Sequence, residues 1–212
     1  MRASATLSLA KLMLVSETFC ENNLQLLFTV LDKSSDATVR ANTIIAAGKK
    51  LLKYIDPKYK KYIPSLNFTN RFSLHEFCLN LGDLSFRFPN TVEPWTPRMY
   101  ACLRDESSFV RSNTLTVLTH LILNDMIKVK GQISDMALLI VDGVTKISNM
   151  AKLFFTELAR KGNALYNVMP DVISGLSNPE AGIEESNFRE VMKYIIALIE
   201  KVIEFLTKNF RH

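Results

Sequence analysis

The 212-residue sequence predicts an all-α chain of stacked helical hairpins, an α-solenoid, on three observations. The first is composition: only seven glycines and seven prolines occur, and Leu, Ile, Ala and Met recur at helical spacing. The second is an internal repeat. "VRANTIIAAG" from Val39, "VRSNTLTVLTHL" from Val110 and "ISNMAKLFFTEL" from Ile147 align with one another. The third is register. Val110 and Ile147 are 37 residues apart, and so are Leu121 and Leu158 at the far ends of the same helices.

Within each repeat helix the apolar residues fall at i, i+4, i+7, i+8 and i+11, one face of a 3.6-residue period. They are Val110, Thr114, Val117, Leu118 and Leu121, matched by Ile147, Ala151, Phe154, Phe155 and Leu158. A turn with an aspartate precedes each helix: Asp36 in "KSSDAT", Asp105 in "RDESSF" and Asp142 in "VDGVTK". A carboxylate there can accept from the exposed N–H groups and suits the positive end of the helix dipole. Arg40 and Arg111, directly after the first apolar position, are expected to pair with aspartates of adjacent repeats. Between the repeat helices lie "EPWTPRMYACLRD", "KVKGQISDMALLIVD" and "LYNVMPDVISGLSN", each forming a hairpin with the helix that follows. The chain begins inside an earlier repeat, "RASATLSLAKLMLVSETF", and ends in a long helix, "NFREVMKYIIALIEKVIEFLTKNF".

The first repeat breaks the period. Val39 and Val110 are 71 residues apart, which becomes 37 once the 34 residues of segment 49–82 are set aside. Leu84 then takes the position of Leu121 and Leu158. "VRANTIIAAG" and "DLSFRF" therefore read as two halves of one helix, and the chain divides into repeats over 1–48, an insertion over 49–82 and further repeats over 83–212. The insertion holds seven basic residues (Lys49, Lys50, Lys53, Lys58, Lys60, Lys61, Arg71) against Asp56 and Glu76. That excess equals the formal +5 of the whole chain, whose 26 basic and 21 acidic residues otherwise balance.

Several function classes are excluded. A hydrophobic fraction of 48% with 22% charged residues is that of a folded chain. Cys20, Cys78 and Cys102 are sparse and unpaired in sequence, as reduced intracellular thiols are. The N-terminus lacks the apolar core of a signal peptide, and no window approaches the roughly 18 apolar residues of a membrane span. No catalytic constellation, cofactor motif or metal-ligand spacing occurs: His75, His120 and His212 stand apart from each other and from the cysteines. His120 aligns with Asp83 and Glu157, positions expected on the solvated side. "AGKK" lacks the glycine and Ser/Thr of a phosphate loop. An enzyme is not expected.

"FPNTVEPWTPRMYACLRD", "HLILNDMIKVKGQ" and "ELARKGNALYNVMPD" go beyond generic helical-repeat features. With their flanks they resemble the C-terminal HEAT repeats of the condensin subunit 1 family, the D-type subunits of condensin I, over residues 2 to about 193. The resemblance departs at 49–82, which has no counterpart there, after Lys193, and in length, with Met1 at a mid-helix position. It implies a non-catalytic HEAT scaffold that acts in mitotic chromosome condensation. The implied partners are the kleisin and the SMC ATPases, with chromatin or DNA reached through the complex and no membrane. The implied location is the nucleus and mitotic chromosomes, with a cytoplasmic pool.

Two local features carry candidate binding or modification sites. Lys128, Lys130 and Gly131 form a basic interhelical turn. It is either a solvated turn whose lysine stems cover the next helix or a ridge loop that meets a condensin component or DNA phosphate. Thr96, before Pro97, is a candidate proline-directed phosphosite, although proline in a first helical turn is common for structural reasons.

Segment 49–82 is read as translated intron sequence. Gly48-Lys49 can be encoded with a GTAAG donor and Leu81-Gly82 with a TAG acceptor, and its composition suits AT-rich noncoding DNA. The alternative for the segment is a surface insertion. The alternatives for the function are a basic nucleic-acid-binding module centred on 49–82, with lysines on phosphates and tyrosines on bases, or an unrelated adaptor solenoid.

Overall fold

The structure, a computed structural model, describes residues 2–13, 15–48, 89–127 and 131–209. The insertion 49–82, Leu84, Lys128 and Lys130 lie outside the described residues. Every regular element among those described is helical. The residues group into two compact units, Met1–Met99 with Thr116–Ile127, and Tyr100–Leu115 with Lys128–His212.

In the first unit, α1 (Arg2–Met13), α2 (Glu17–Lys33) and α3 (Ala37–Gly48) pack mutually. Ser16 starts α2 by accepting from the Phe19 N–H at 3.5 Å. Ala10 and Met13 of α1, Leu24, Leu27, Phe28 and Leu31 of α2, and Val39 and Ala41 of α3 form the core. α2 also meets α4 (Pro89–Val92), which runs through a 3-10 turn (Glu93–Trp95) into α5 (Thr96–Ala101). The Phe28 ring stacks on Trp95 at 4.9 Å between centroids, and Arg98 lies over Trp95 while pairing with Asp32 at 3.1 Å. Where sequence predicts a helix over "EPWTPRMYACLRD", the chain forms short pieces instead. Pro94 and Pro97 withhold backbone donors from a continuous ladder.

In the second unit a 3-10 turn (Cys102–Arg104) leads to α6 (Ser108–Leu123), whose first half belongs to this unit. α7 (Ile133–Leu138) tightens into a 3-10 turn (Leu139–Val141) before α8 (Thr145–Ala159). α9 (Ala164–Leu176) and α10 (Glu185–Asn209) complete the order, with a 3-10 turn (Pro179–Ala181) between them. α7 packs on α9 and α8 on α10, while α8 and α9 are joined through a turn with Gly162 at φ 58. Within this unit α7 and α9 form one layer and α8 and α10 the other.

The repeat face is buried where it is described. Val110, Leu118 and Leu121 are fully buried, as are Ala151, Phe154 and Phe155, and Val39, Ile147 and Leu158 are nearly so. A threonine is tolerated on that face because its hydroxyl donates backwards. Thr43 donates to the Val39 carbonyl at 2.9 Å and Thr114 to Val110 at 2.8 Å.

The aspartate turns differ from expectation in one respect. Asp36 is a true N-cap, accepting from Thr38 N–H at 2.8 Å. Asp105 and Asp142 make the same bond, to Ser107 and Val144 N–H at 2.8 Å, but two residues earlier relative to the repeat. There they order the turn ahead of the cap. The solvated placement expected for position 157 is also corrected. Glu157 is 4% exposed, its carboxylate held by Arg160 at 2.5 Å, a countercharge that offsets the cost of taking it out of water. His120, in the same register, is half-buried.

Candidate partner-binding surface

Arg111 joins two successive turns of the second unit. Its guanidinium forms a bidentate pair with Asp142, 31 residues on, with Nε donating to Oδ2 at 2.9 Å and Nη2 to Oδ1 at 3.2 Å. The remaining arm, Nη1, donates to the carbonyls of Asp105 and Glu106 at 2.8 and 3.0 Å. The pair is largely shielded, with side chains 17% and 7% exposed. One arginine thus closes its own turn and fastens it to the turn of the next hairpin, as only a planar five-donor group can. Arg40 makes the corresponding bond to its own turn, donating to the Ser34 carbonyl at 2.9 Å. Arg104 and Asp135 form a second, more exposed pair at 2.6 Å.

α6 ends in a Schellman turn. Asp125 N–H reaches the Ile122 carbonyl and Met126 N–H the Leu121 carbonyl, at 3.1 and 2.9 Å, with Asp125 at φ 57. Ile127 then tucks into the core. Of the basic turn that follows, Gly131 alone is described. It is exposed, and a Cβ placed there would meet nothing within 4 Å. Gly131 therefore lies open on the surface, and among the described residues no close approach requires a glycine there.

Thr96 is 4% exposed, and its hydroxyl donates to the Glu93 carbonyl at 2.7 Å. It is the first residue of α5.

Three features escaped the sequence. Gly175 of α9 faces Ser134 of α7 so closely that an added Cβ would sit 2.3 Å from the Ser134 Oγ. An isolated glycine inside a helical pattern is the signal that could have found it. Tyr100 is fully buried, and its hydroxyl has no hydrogen-bond partner among the described residues. Burial first, and the nearby Asp135 charge second, push its pKa well above the usual phenol range. Tyr194 of α10 donates to the Lys152 carbonyl and meets the Thr156 hydroxyl, both at 3.1 Å, tying α8 to α10.

The Cys20 thiol is pushed up to about 11 by burial, then by Glu21 and Glu17, which leaves it a poor nucleophile. Among the described residues no group of three or more His, Cys, Asp or Glu side chains could hold a metal, and no helix is long and apolar enough to cross a membrane.

Paired helices in two layers, an apolar face of fixed period and an arginine rung between successive turns define a HEAT-type helical-repeat protein. The family model for the non-SMC mitotic condensation complex subunit 1 matches residues 77–206. Condensin complex subunit 1 of Xenopus laevis is 44% identical over 213 residues, covering 98% of this chain. The Homo sapiens protein is 42% identical over 99% of the chain, and that of Saccharomyces cerevisiae 35% over 95%. The chain belongs to the condensin subunit 1 family. It spans about 13% of the length of the vertebrate relatives and 14% of the yeast one.

Proposed function

We propose that this chain is a non-catalytic HEAT scaffold of condensin, acting in mitotic chromosome condensation by offering a helical-repeat surface to the kleisin and the SMC ATPases. DNA or chromatin is engaged through the assembled complex, in the nucleus and on mitotic chromosomes, with a cytoplasmic pool. The observation that carries this reading is the family membership over nearly the whole chain. The Arg111–Asp142 rung supports it by fixing successive hairpins in one register. The turn at Lys128, Lys130 and Gly131 is its proposed contact loop. ATP hydrolysis belongs to the partners.

Peptide mass spectrometry on condensin isolated from mitotic cells tests the reading and the status of 49–82 together. ANTIIAAGDLSFR joins residues 41–48 to 83–87 and forms only if the insertion is removed, whereas YIPSLNFTNR (62–71) forms only if it is translated. Neither peptide among condensin subunits would overturn the assignment. The insert peptide there would instead favour the basic module, whose concentrated charge predicts DNA binding that weakens with salt and is lost on deleting 49–82.

A further inference from the structure

The turn ahead of α6 sets an exposed serine beside the arginine that fastens the hairpins. Ser108 is the first residue of α6, and its hydroxyl makes no hydrogen bond to a described residue. Arg111 follows it by three residues, a spacing at which two side chains share a helix face. The Arg111 guanidinium reaches back past the start of the helix, where Nη1 donates to the Asp105 and Glu106 carbonyls. Its other edge is given to Asp142, a carboxylate 7% exposed that also accepts from the Val144 N–H at 2.8 Å. The second cation of this turn, Arg104, is held by Asp135 at 2.6 Å.

The residues around Ser108 say what would modify it. Asp105 and Glu106 stand three and two residues ahead of it, and Phe109, directly after it, is 48% exposed. Carboxylates followed by an accessible apolar side chain complement a protein kinase whose peptide groove is basic on one side of the acceptor and apolar on the other.

We propose that Ser108 is a phosphorylation site for such an acid-directed kinase, and that its phosphate draws Arg111 off Asp142 and loosens the seam between successive hairpins. In the transfer the bond from Ser108 Oγ to the γ-phosphorus of ATP forms as the bond from that phosphorus to the ADP oxygen breaks. The hydroxyl proton passes to the kinase's catalytic carboxylate, and ADP leaves. The phosphate brings roughly two negative charges and three acceptor oxygens to the start of a helix, where the dipole favours them. Asp142 offers a single charge. Once Arg111 has swung away it keeps its bond to Val144 but stands shielded without a countercharge.

The tryptic peptide DESSFVR (105–111) reads the modification. In protein isolated from growing cells with phosphatases inhibited, it is expected to carry phosphate, and fragmentation to place that phosphate on Ser108. An unmodified peptide, or phosphate on Ser107 alone, would overturn the proposal. The consequence is read on the 212-residue chain made with phosphoserine at position 108. Its Tm is expected to fall several degrees below that of the unmodified chain. With Asp142→Asn, Arg111 has no rival carboxylate, so the same phosphate is expected to raise the Tm. A phosphorus NMR titration of the phosphorylated chain needs no variant. The second ionisation of a free phosphoserine lies near about 6, and pairing with Arg111 is expected to lower it by about one unit. An unshifted ionisation would sink the proposal, as would a phosphate that lowers the Tm equally with and without the Asp142 carboxylate.

Discussion

Positions 111 and 148 occupy the same place in consecutive repeats, yet they are held differently. Arg111 reaches two carbonyls of its own turn and both carboxylate oxygens of Asp142 in the next one. Ser148 donates to one carbonyl, that of Ile140, at 2.5 Å. The reason lies one repeat further on. Asp142 stands 31 residues after Arg111, but the residue 31 after Ser148 is Pro179, which has no carboxylate to offer. The rung therefore exists where both of its members exist, and a hydroxyl suffices to satisfy the turn where one is missing. Apolar positions keep the repeat in register throughout, whereas the polar fastening varies from seam to seam.

Removing the rung should have the largest effect. Arg111→Ala leaves Asp142, only 7% exposed, without its countercharge and frees two carbonyls. A loss of about 3 kcal/mol is expected in urea unfolding followed by circular dichroism. Arg111→Lys restores the charge but not the fork, so it should recover about half of that loss. Equal stability of the alanine variant and the wild type would make the rung ornamental.

Between α7 and α9 the fastening is a close steric contact, and Gly175→Ala tests it. The new methyl would press on Ser134 Oγ and Cβ, at 2.3 and 2.5 Å, and α7 and α9 would have to separate. Overpacking of this kind costs roughly 1–3 kcal/mol. Gly175→Ala combined with Ser134→Gly, which clears the space, should recover most of it. A double variant no better than the single one would show that α7 and α9 are held apart by something else.

These two seams also mark how far the sequence could be read. The apolar face was legible because its period is a property of the helix alone, and Val110 through Leu158 are buried as that period demands. Polar and steric fastenings depend on what stands opposite, which a single sequence does not display. Thr96 shows the cost. Its Thr-Pro context marks a candidate phosphosite, but the context does not display the bond its hydroxyl makes to the Glu93 carbonyl. Glu157 is the converse case, a charged residue that periodicity assigns to solvent and that Arg160 keeps buried. Of the candidate contact turn, only Gly131 lies among the described residues.

Ser148→Ala measures the lesser fastening by itself. It leaves the Ile140 carbonyl without the Ser148 hydroxyl and should cost about 1 kcal/mol, a third of the Arg111→Ala loss. A loss as large as that of Arg111 would mean that the hydroxyl bond, not the number of partners, sets the strength of each turn.

The smallest effect at neutral pH is expected at position 120, where His120 stands in the register of Glu157. Glu157 is kept by a countercharge. His120 faces the Asn124 amide, whose Nδ2 lies 3.2 Å from Nδ1 and also donates to the His120 carbonyl at 2.8 Å. Burial pulls the imidazole down to about 4. Because the unfolded chain takes up this proton near pH 6.5 and the folded chain only near 4, stability is unaffected above 6.5. Between those values it falls as the pH falls, since the proton binds the unfolded state first. His120→Gln removes that proton uptake, so the difference in Tm between variant and wild type should move steadily in the variant's favour from pH 6.5 to 4. A difference that stays constant across that range would mean that His120 is solvated in the folded chain. The contrast with Glu157 would then reduce to a difference in burial.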